Sequence, residues 1–489
     1  MYTDDTISIK MGNQITEPIK CSLGVRQGDS LSPTLFNVFI NDVVQLFDTP
    51  DSSPASIGDL VIGSLLYADD LVILSESESG LQCSLNKLEN YCKKWKLQVN
   101  CNKTQIIIFN SRKKDYEPFT LCDQNIKVVK QYKYLGILVS QYGSFSHAIK
   151  ALSSKSLKAL FSIRNALYSN KEYSVTIHTS VFDTLVKPIL IYGSEIWGQD
   201  ILHTKTNIKE TFSNDKSEFE RVHMRFCKKL LGVNIKSTNL AIRSELGRYP
   251  IICTIVKNVM KYFIRLEGMS NNRLVKQIYL KTKSRPFSTC DIANRFLSLL
   301  DIKLDDYDLY SRRDCDRLNS LFTSKFDMYV DDEWYSLLNA EHGPTGQRNK
   351  LTLYSKLKSV FKQEKYLTQI TNPILRSNLT KLRISAHNLA IEKGRYRKML
   401  DDTNSSIHYK SRTCNNCTLN KVENEYHFIM ECKLYENQRK CFLDKLNDTL
   451  RSKAPQDLFI YLMKLSDNQI LPDFATYVST IMEQRKSNS

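Results

Sequence analysis

Two small groups of residues in this 489-residue chain have types and spacing that suit chemistry. The first is "SLLYADDLVIL", residues 64–74, where Asp69 and Asp70 stand between two apolar runs. Paired carboxylates repel unless a cation neutralises them. A hard divalent ion, bound through one or two carboxylates plus substrate phosphates, fits such a pair. An ion of this kind assists phosphoryl transfer by activating the attacking oxygen and stabilising the leaving one. Taken alone, the dipeptide fits an exposed turn between two core strands equally well. The second group is "CNNCTLNKVENEYHFIMEC", with Cys414, Cys417, His427 and Cys432 in C-x2-C-x9-H-x4-C spacing. Three thiolates and one imidazole fill the tetrahedral set of structural zinc and leave no open position for catalysis. Incidental reduced cysteines are the competing reading.

Those groups need elements to hold them. Residues 6–21 alternate around Gly12-Asn13 and read as a β-hairpin. A helix follows, with Ser30 or Ser32 as its cap, Pro33 in its first turn, and Leu35, Phe36, Phe39, Ile40, Val43 and Leu46 at helical spacing. The apolar runs around the aspartates read as a second hairpin with Asp69 and Asp70 at its tip. Leu81, Leu85, Leu88, Tyr91, Cys92 and Trp95 then make a helical stripe. "TQIIIFN" reads as a buried strand and "KYLGILVS" as another with a glycine bend. From about 141 onward the pattern is mostly helical, with a linker at 281–289 and the Cys/His patch before a short helical tail. In that patch the C-x2-C turn offers two sulfurs to one ion, and the His/Cys spacing suits one helical face. The fold class expected is mixed α/β.

Lys and Arg number 69 against 52 acidic residues, for a net charge of +17. That excess favours a polyanionic partner, nucleic acid before an anionic membrane. Basic residues recur in short clusters such as Lys93-Lys94, Arg112-Lys113-Lys114, Lys228-Lys229 and Lys393 to Lys398, which suits contacts distributed along a backbone. Thirteen cysteines, mostly scattered singly, suit a reduced compartment rather than a disulfide scaffold. No apolar run approaches the ~20 residues that span a bilayer, and no leader is visible. An intracellular protein is expected, in nucleus or cytoplasm, with no membrane partner.

The order "GVRQGDSLSP", "YADD", "QVNCNKTQIIIF", "YKYLGILVS" resembles the palm of reverse transcriptases, nearest the non-long-terminal-repeat (LINE-type) retrotransposon family. The resemblance implies an RNA-directed DNA polymerase that takes an RNA template, a DNA primer and dNTPs, with Mg2+ or Mn2+. It makes Asp69 and Asp70 metal-binding palm carboxylates. Lys103 becomes a proton donor to departing pyrophosphate, a role with a physical basis in the charge gained by the leaving oxygen. Arg26, Gln27 and Gly28 would touch template and incoming nucleotide, and Tyr67 would pack beneath the primer end. Tyr134, Leu135 and Gly136 would grip the primer. A further palm aspartate belongs upstream of the Gln-Gly motif in the family, and it is not found here. A fragment with little or no polymerase activity of its own is therefore expected.

Downstream, "KPILIYGSEIWG", "FCKKLLGV", "LAIRSELGRYPI" and "RISAHNLAIEKGRY" also resemble the region after the polymerase in such elements. Read from their residues they are helices, packed aromatics and basic faces, with Trp197 and Tyr192 expected in a core. The expected organisation is a partial palm at 1–140, a helical thumb or connection at 141–280, and a helical basic region at 281–400. A zinc knuckle at 401–445 and a helical tail at 446–489 complete it. A non-catalytic, nucleic-acid-binding remnant with a zinc knuckle is the alternative. The oligomeric state is open.

Overall fold

The computed structural model describes residues 6–20, 24–26, 28–109, 116–168, 174–204, 208–214, 216–340, 350–396 and 409–487. The chain divides into two compact units, Met1–Gly143 with Ser270–Thr282, and Ser144–Met269 with Lys283–Ser489. Gln27 and the cluster Arg112-Lys113-Lys114 lie outside the described residues, as do the last two positions of the 393–398 run.

In the first unit the expected opening hairpin is present as nested ladders, Lys10–Met11 on Gln14–Ile15 inside Thr6–Ile7 on Ile19–Lys20. Gly12 takes the left-handed backbone its turn requires, at φ 60°. A helix spans Ser32–Ile40 with proline in its first turn, but its cap position is Leu31 and no side chain caps it. Neither Ser30 nor Ser32 does the work expected of it, because the Ser32 hydroxyl donates to Asp29 instead, at 3.4 Å. The apolar pattern continues past the helix into a tighter 3-10 segment, Asn41–Phe47, which buries Val43 and Phe47.

The helix Glu78–Trp95 is the mainstay of this unit. The Ser77 side chain caps it by accepting from the Gly80 amide, and Lys96 ends it in the left-handed region. Leu85, Leu88, Tyr91 and Cys92 bury its apolar stripe against Val43 and Phe47 on one side and Phe119, Leu121 and Ile126 on the other. Trp95, the last of the stripe, stays 39% exposed.

Two strand expectations change. Only Gln105–Ile106 of "TQIIIFN" forms strand, pairing parallel to Gln124–Val128. "KYLGILVS" is a hairpin, Gln131–Tyr134 on Ile137–Ser140, and its glycine sits in the turn. Among the described residues the strands make one three-stranded and five two-stranded ladders, not one continuous palm sheet.

The second unit is helical. Its longest helix, Arg312–Leu338, buries Leu318, Phe322, Phe326, Val330, Trp334 and Leu338. A strict spacing of four drifts by ~40° per step on a 3.6-residue helix, so this stripe winds round the helix as the core wraps it. Trp197 is fully buried, and its indole N–H donates to the Tyr192 carbonyl at 2.7 Å. Tyr192 itself is 51% exposed, so the expected core pair is only half realised. No helix among the described residues is long and apolar enough to cross a membrane.

Candidate functional site

Asp69 and Asp70 close a tight hairpin. Ser64–Tyr67 pairs with Asp70–Ile73 in a register that sets Leu66 opposite Leu71 and Tyr67 opposite Asp70, leaving Ala68 and Asp69 as a two-residue turn. Alternation then sorts the faces. Leu66, Leu71 and Ile73 pack onto the core of the first unit, while Tyr67 and Asp70 share the opposite, exposed face. Ala68 adopts φ 52°, a conformation that costs a non-glycine residue about 1–2 kcal/mol. The hairpin is held at its root. A Cβ on Gly63 would lie 2.3 Å from the Phe47 carbonyl oxygen, so only glycine allows this approach. The Gly63 amide donates to Asp48 at 2.9 Å, and its carbonyl accepts from the Leu74 amide at 2.8 Å.

A second hairpin tip comes near. Leu135 and Gly136 both take positive φ, 44° and 86°, the signature of a primed two-residue turn following Tyr134. The Tyr134 phenol is pushed up by burial and then by the negative charge of Asp70. Asp70 and Tyr134 are therefore the two sequence-selected residues of this region that the structure brings together electrostatically.

The others are less closely joined. Gly28 needs its left-handed backbone, φ 91°, but no atom lies within 4 Å of where a Cβ would stand. Arg26 is exposed on the same loop. Lys103 lies in an exposed turn before Gln105, its amide bonded to Asn100, rather than on a strand edge. No hydrogen bond or ion pair among the described residues joins its ammonium to Asp69 or Asp70. No third carboxylate, histidine or cysteine among them groups with the two aspartates either.

The thiol group is assembled. The donor atoms of Cys414, Cys417, His427 and Cys432 all lie within 4.8 Å of one another. Cys414 Sγ is 4.0 Å from Cys432 Sγ, and Cys417 Sγ is 3.4 Å from His427 Nε2. Tetrahedral zinc with Zn–S near 2.3 Å sets sulfurs about 3.8 Å apart, so the donor set fits the ion. Two local devices build it. Arg412 and Glu423 exchange a backbone bond across the Thr413–Val422 bridge, and Cys414 donates to the Lys421 carbonyl, so the C-x2-C turn projects from a short ladder. His427–Glu431 is a π turn, closed by the Cys432 amide on the His427 carbonyl at 2.8 Å. The expected ordinary helical face is thus corrected. Positions five apart diverge on an α-helix, and an i to i+5 turn realigns them.

Electrostatics supports the same reading. Burial pushes the Cys414 thiol up to about 12, with Glu423 and Cys432 adding to the effect. Burial likewise raises Cys432. Such thiols ionise together only beside a cation. His427 Nδ1 faces Glu431 at 3.3 Å, which leaves Nε2 toward the sulfurs. Glu431 and Glu423 were not singled out from sequence, although an acid four residues after a ligand histidine was a usable signal.

Sequence reasoning also missed two buried ionic networks in the second unit. Arg383 donates to Glu245 at 3.0 Å and pairs with Glu364 at 3.0 Å, and the Tyr366 hydroxyl donates to Glu245 at 2.6 Å. Elsewhere Glu220 receives Arg243, His223 and the Ile251 amide, each at 2.8 Å. Burial works against the Glu220 charge, but Arg243 and His223 outweigh it and hold the carboxyl down at about 2. Arg243 and Arg383 lie in motifs read as basic faces, and both point inward with no exposure.

Residues 2–139 match the family described as reverse transcriptase (RNA-dependent DNA polymerase). This segment is thus similar to reverse transcriptase domains, and the curated relatives it resembles are retrotransposon proteins. Among curated relatives, the chain is 36% identical over 135 residues to the "Retrovirus-related Pol polyprotein from type-1 retrotransposable element R2" of Nasonia vitripennis, covering 26% of this chain and 13% of that protein. It is 28% identical over 207 residues to the "Probable RNA-directed DNA polymerase from transposon BS" of Drosophila melanogaster, covering 40% and 22%. The "RNA-directed DNA polymerase from mobile element jockey" of the same species is 26% identical over 184 residues, covering 36% and 19%. The chain thus spans between 13% and 22% of the length of these relatives.

Proposed function

We propose that the first unit is the nucleotidyl-transfer part of a retrotransposon RNA-directed DNA polymerase, and that the second unit holds RNA template and DNA primer. The observation that carries the first half is the acidic hairpin tip inside the segment that matches the reverse transcriptase family. Asp69 and Asp70 would hold Mg2+ or Mn2+, which on binding supplies charge neutralisation for phosphoryl transfer. Tyr67, on the same face as Asp70, offers an aromatic surface beneath a primer end. Tyr134 with the Leu135-Gly136 turn bounds the tip from the other hairpin, and Arg26, Gln27 and Gly28 supply phosphate and base contacts. Lys103 would donate a proton to departing pyrophosphate, which requires its turn to close toward the tip. The four thiol-module ligands would hold structural zinc.

Two carboxylates without a third among the described residues make a weak two-metal site. The expectation is that the chain alone extends primers very little or not at all. Primer extension by the purified chain on poly(rA)/oligo(dT), with either Mg2+ or Mn2+, is the test. Robust synthesis would refute the expectation of weakness. Failure to bind primer–template would refute the assignment itself.

A second reading, a nucleic-acid-binding chain without chemistry, is favoured by a thiol cluster that gathers four donors while the acidic tip gathers only two. It expects Asp69→Asn to leave both nucleic-acid binding and any residual extension unaltered.

A further inference from the structure

A cavity of about 580 Å3 opens in the second unit beside the thiol module. Its size falls within the ~300–1,000 Å3 of small-molecule sites. We propose that it receives one unstacked nucleotide of a single-stranded nucleic acid, its phosphate on Arg412 and Arg395 and its base on Tyr426. The proposal rests on the reading that this unit binds nucleic acid, and it adds a place and a mode.

The cavity has a fixed cationic wall. Arg412 is only 8% exposed, and its stem crosses Gly394, where a Cβ would stand 2.7 Å from both Cγ and Cδ. Its Nη1 donates to the Ile391 carbonyl at 2.8 Å, which fixes the direction of the guanidinium. Arg395 stands close enough for the two positive charges to repel, and Lys350 and Lys356 add to the same lining. Two carboxylates also line the space, and both have hydrogen-bonding or ionic partners. Glu392 accepts from Arg395 at 2.9 Å and pairs with Lys350 at 3.3 Å. Glu425 faces His387 Nε2 at 2.9 Å and accepts from Ser385 at 3.0 Å. Four basic side chains and two carboxylates share the lining, Arg395 and Lys350 both meeting Glu392, so basic groups outnumber acidic ones and the lining favours an anion.

The lining is also aromatic. Tyr426 meets the buried Phe459 edge to face, with ring centroids 5.4 Å apart, which holds the tyrosine ring in place. A flat ring and a cationic lining in one cavity describe a nucleotide better than an acidic peptide, whose Asp and Glu side chains offer no aromatic ring to stack. Among the described residues the rim is accessible: Tyr409 is 40% exposed, and Lys356 and Gln456 are exposed. A nucleotide seated here lies beside the ladder that carries Cys414.

The test uses the full chain and a short oligouridylate bearing one photoactivatable thiouridine. Crosslinking mapped by mass spectrometry should fall on residues 424–426. Lys356→Glu and Tyr426→Leu should each weaken binding about tenfold with zinc content unchanged. An oligodeoxyuridylate that crosslinks at the same residues also supports the proposal and shows that the sugar is not discriminated. A crosslink elsewhere, with both variants binding as the parent does, overturns the pocket but leaves nucleic-acid binding intact. Binding of no single strand at all overturns both. Uridine monophosphate binding as tightly as the oligomer overturns the strand in favour of a free nucleotide.

Discussion

Asp69 and Asp70 are held in water at the end of a two-residue turn, whereas Cys414, His427 and Cys432 are held inside the protein. Each group gathers residue types that can hold a cation, yet the scaffolds differ. The aspartates keep their hydration and depend on one backbone clamp at Gly63. The thiols have lost theirs and are braced by a ladder, a π turn and two glutamates. On the reading proposed above, the difference would separate a site for exchange with substrate from a site that holds its ion as part of the fold. An exposed pair can release phosphates and ions at each turnover, and a buried closed set cannot.

The largest expected effect lies at the buried end of that comparison. Structural zinc binding is worth about 10–16 kcal/mol in small zinc modules, so Cys414→Ser should abolish stoichiometric zinc in the full chain, as read by metal analysis. Unchanged zinc content would remove the distinction altogether. Next comes the buried Arg383. Replacing it with Met strands Glu245 and Glu364, and equilibrium urea unfolding should register a loss of about 3–5 kcal/mol, partly restored when Glu245 is also made Met.

The acidic hairpin gives smaller changes in stability. Gly63→Ala should cost the first unit about 1–3 kcal/mol by forcing the strand off Phe47, and it should impair Mn2+ binding with both aspartates still in place. Asp69→Asn sits in water and should shift stability by less than ~0.5 kcal/mol, while Mn2+ titration followed by paramagnetic resonance shows weaker binding. If Asp69→Asn destabilised the chain as much as Arg383→Met does, the acidic tip would be a structural element and not an exchangeable site.

The local parts of both sites were legible because they depend on neighbours in sequence. A two-residue turn between apolar runs specifies a hairpin, and four metal-ligating residues at short spacing specify a cluster. The opening hairpin and the helix that carries Leu81 to Trp95 were readable for the same reason. What escaped depends on distant partners. Arg383 meets Glu245 across 138 positions, so nothing near either residue marks it as buried, and clusters of basic residues look the same whether they face water or a carboxylate. The ladder pattern escaped similarly. Alternation announces that Ile106 will be in a strand, but not that the pairing stops after two residues. The π turn was hidden because spacing alone does not report the helix type on which it is wound.

That widened turn carries one residue more than an α-helical turn would between the same two positions. Shortening the stretch between His427 and Cys432 by one would let it relax to ordinary helix and still leave the imidazole and the sulfur on a common side. Lengthening it by one has no regular winding to fall back on. The module is thus lopsided in its tolerance of length change, forgiving of loss and brittle to gain, and relatives that differ in this gap should differ in one direction.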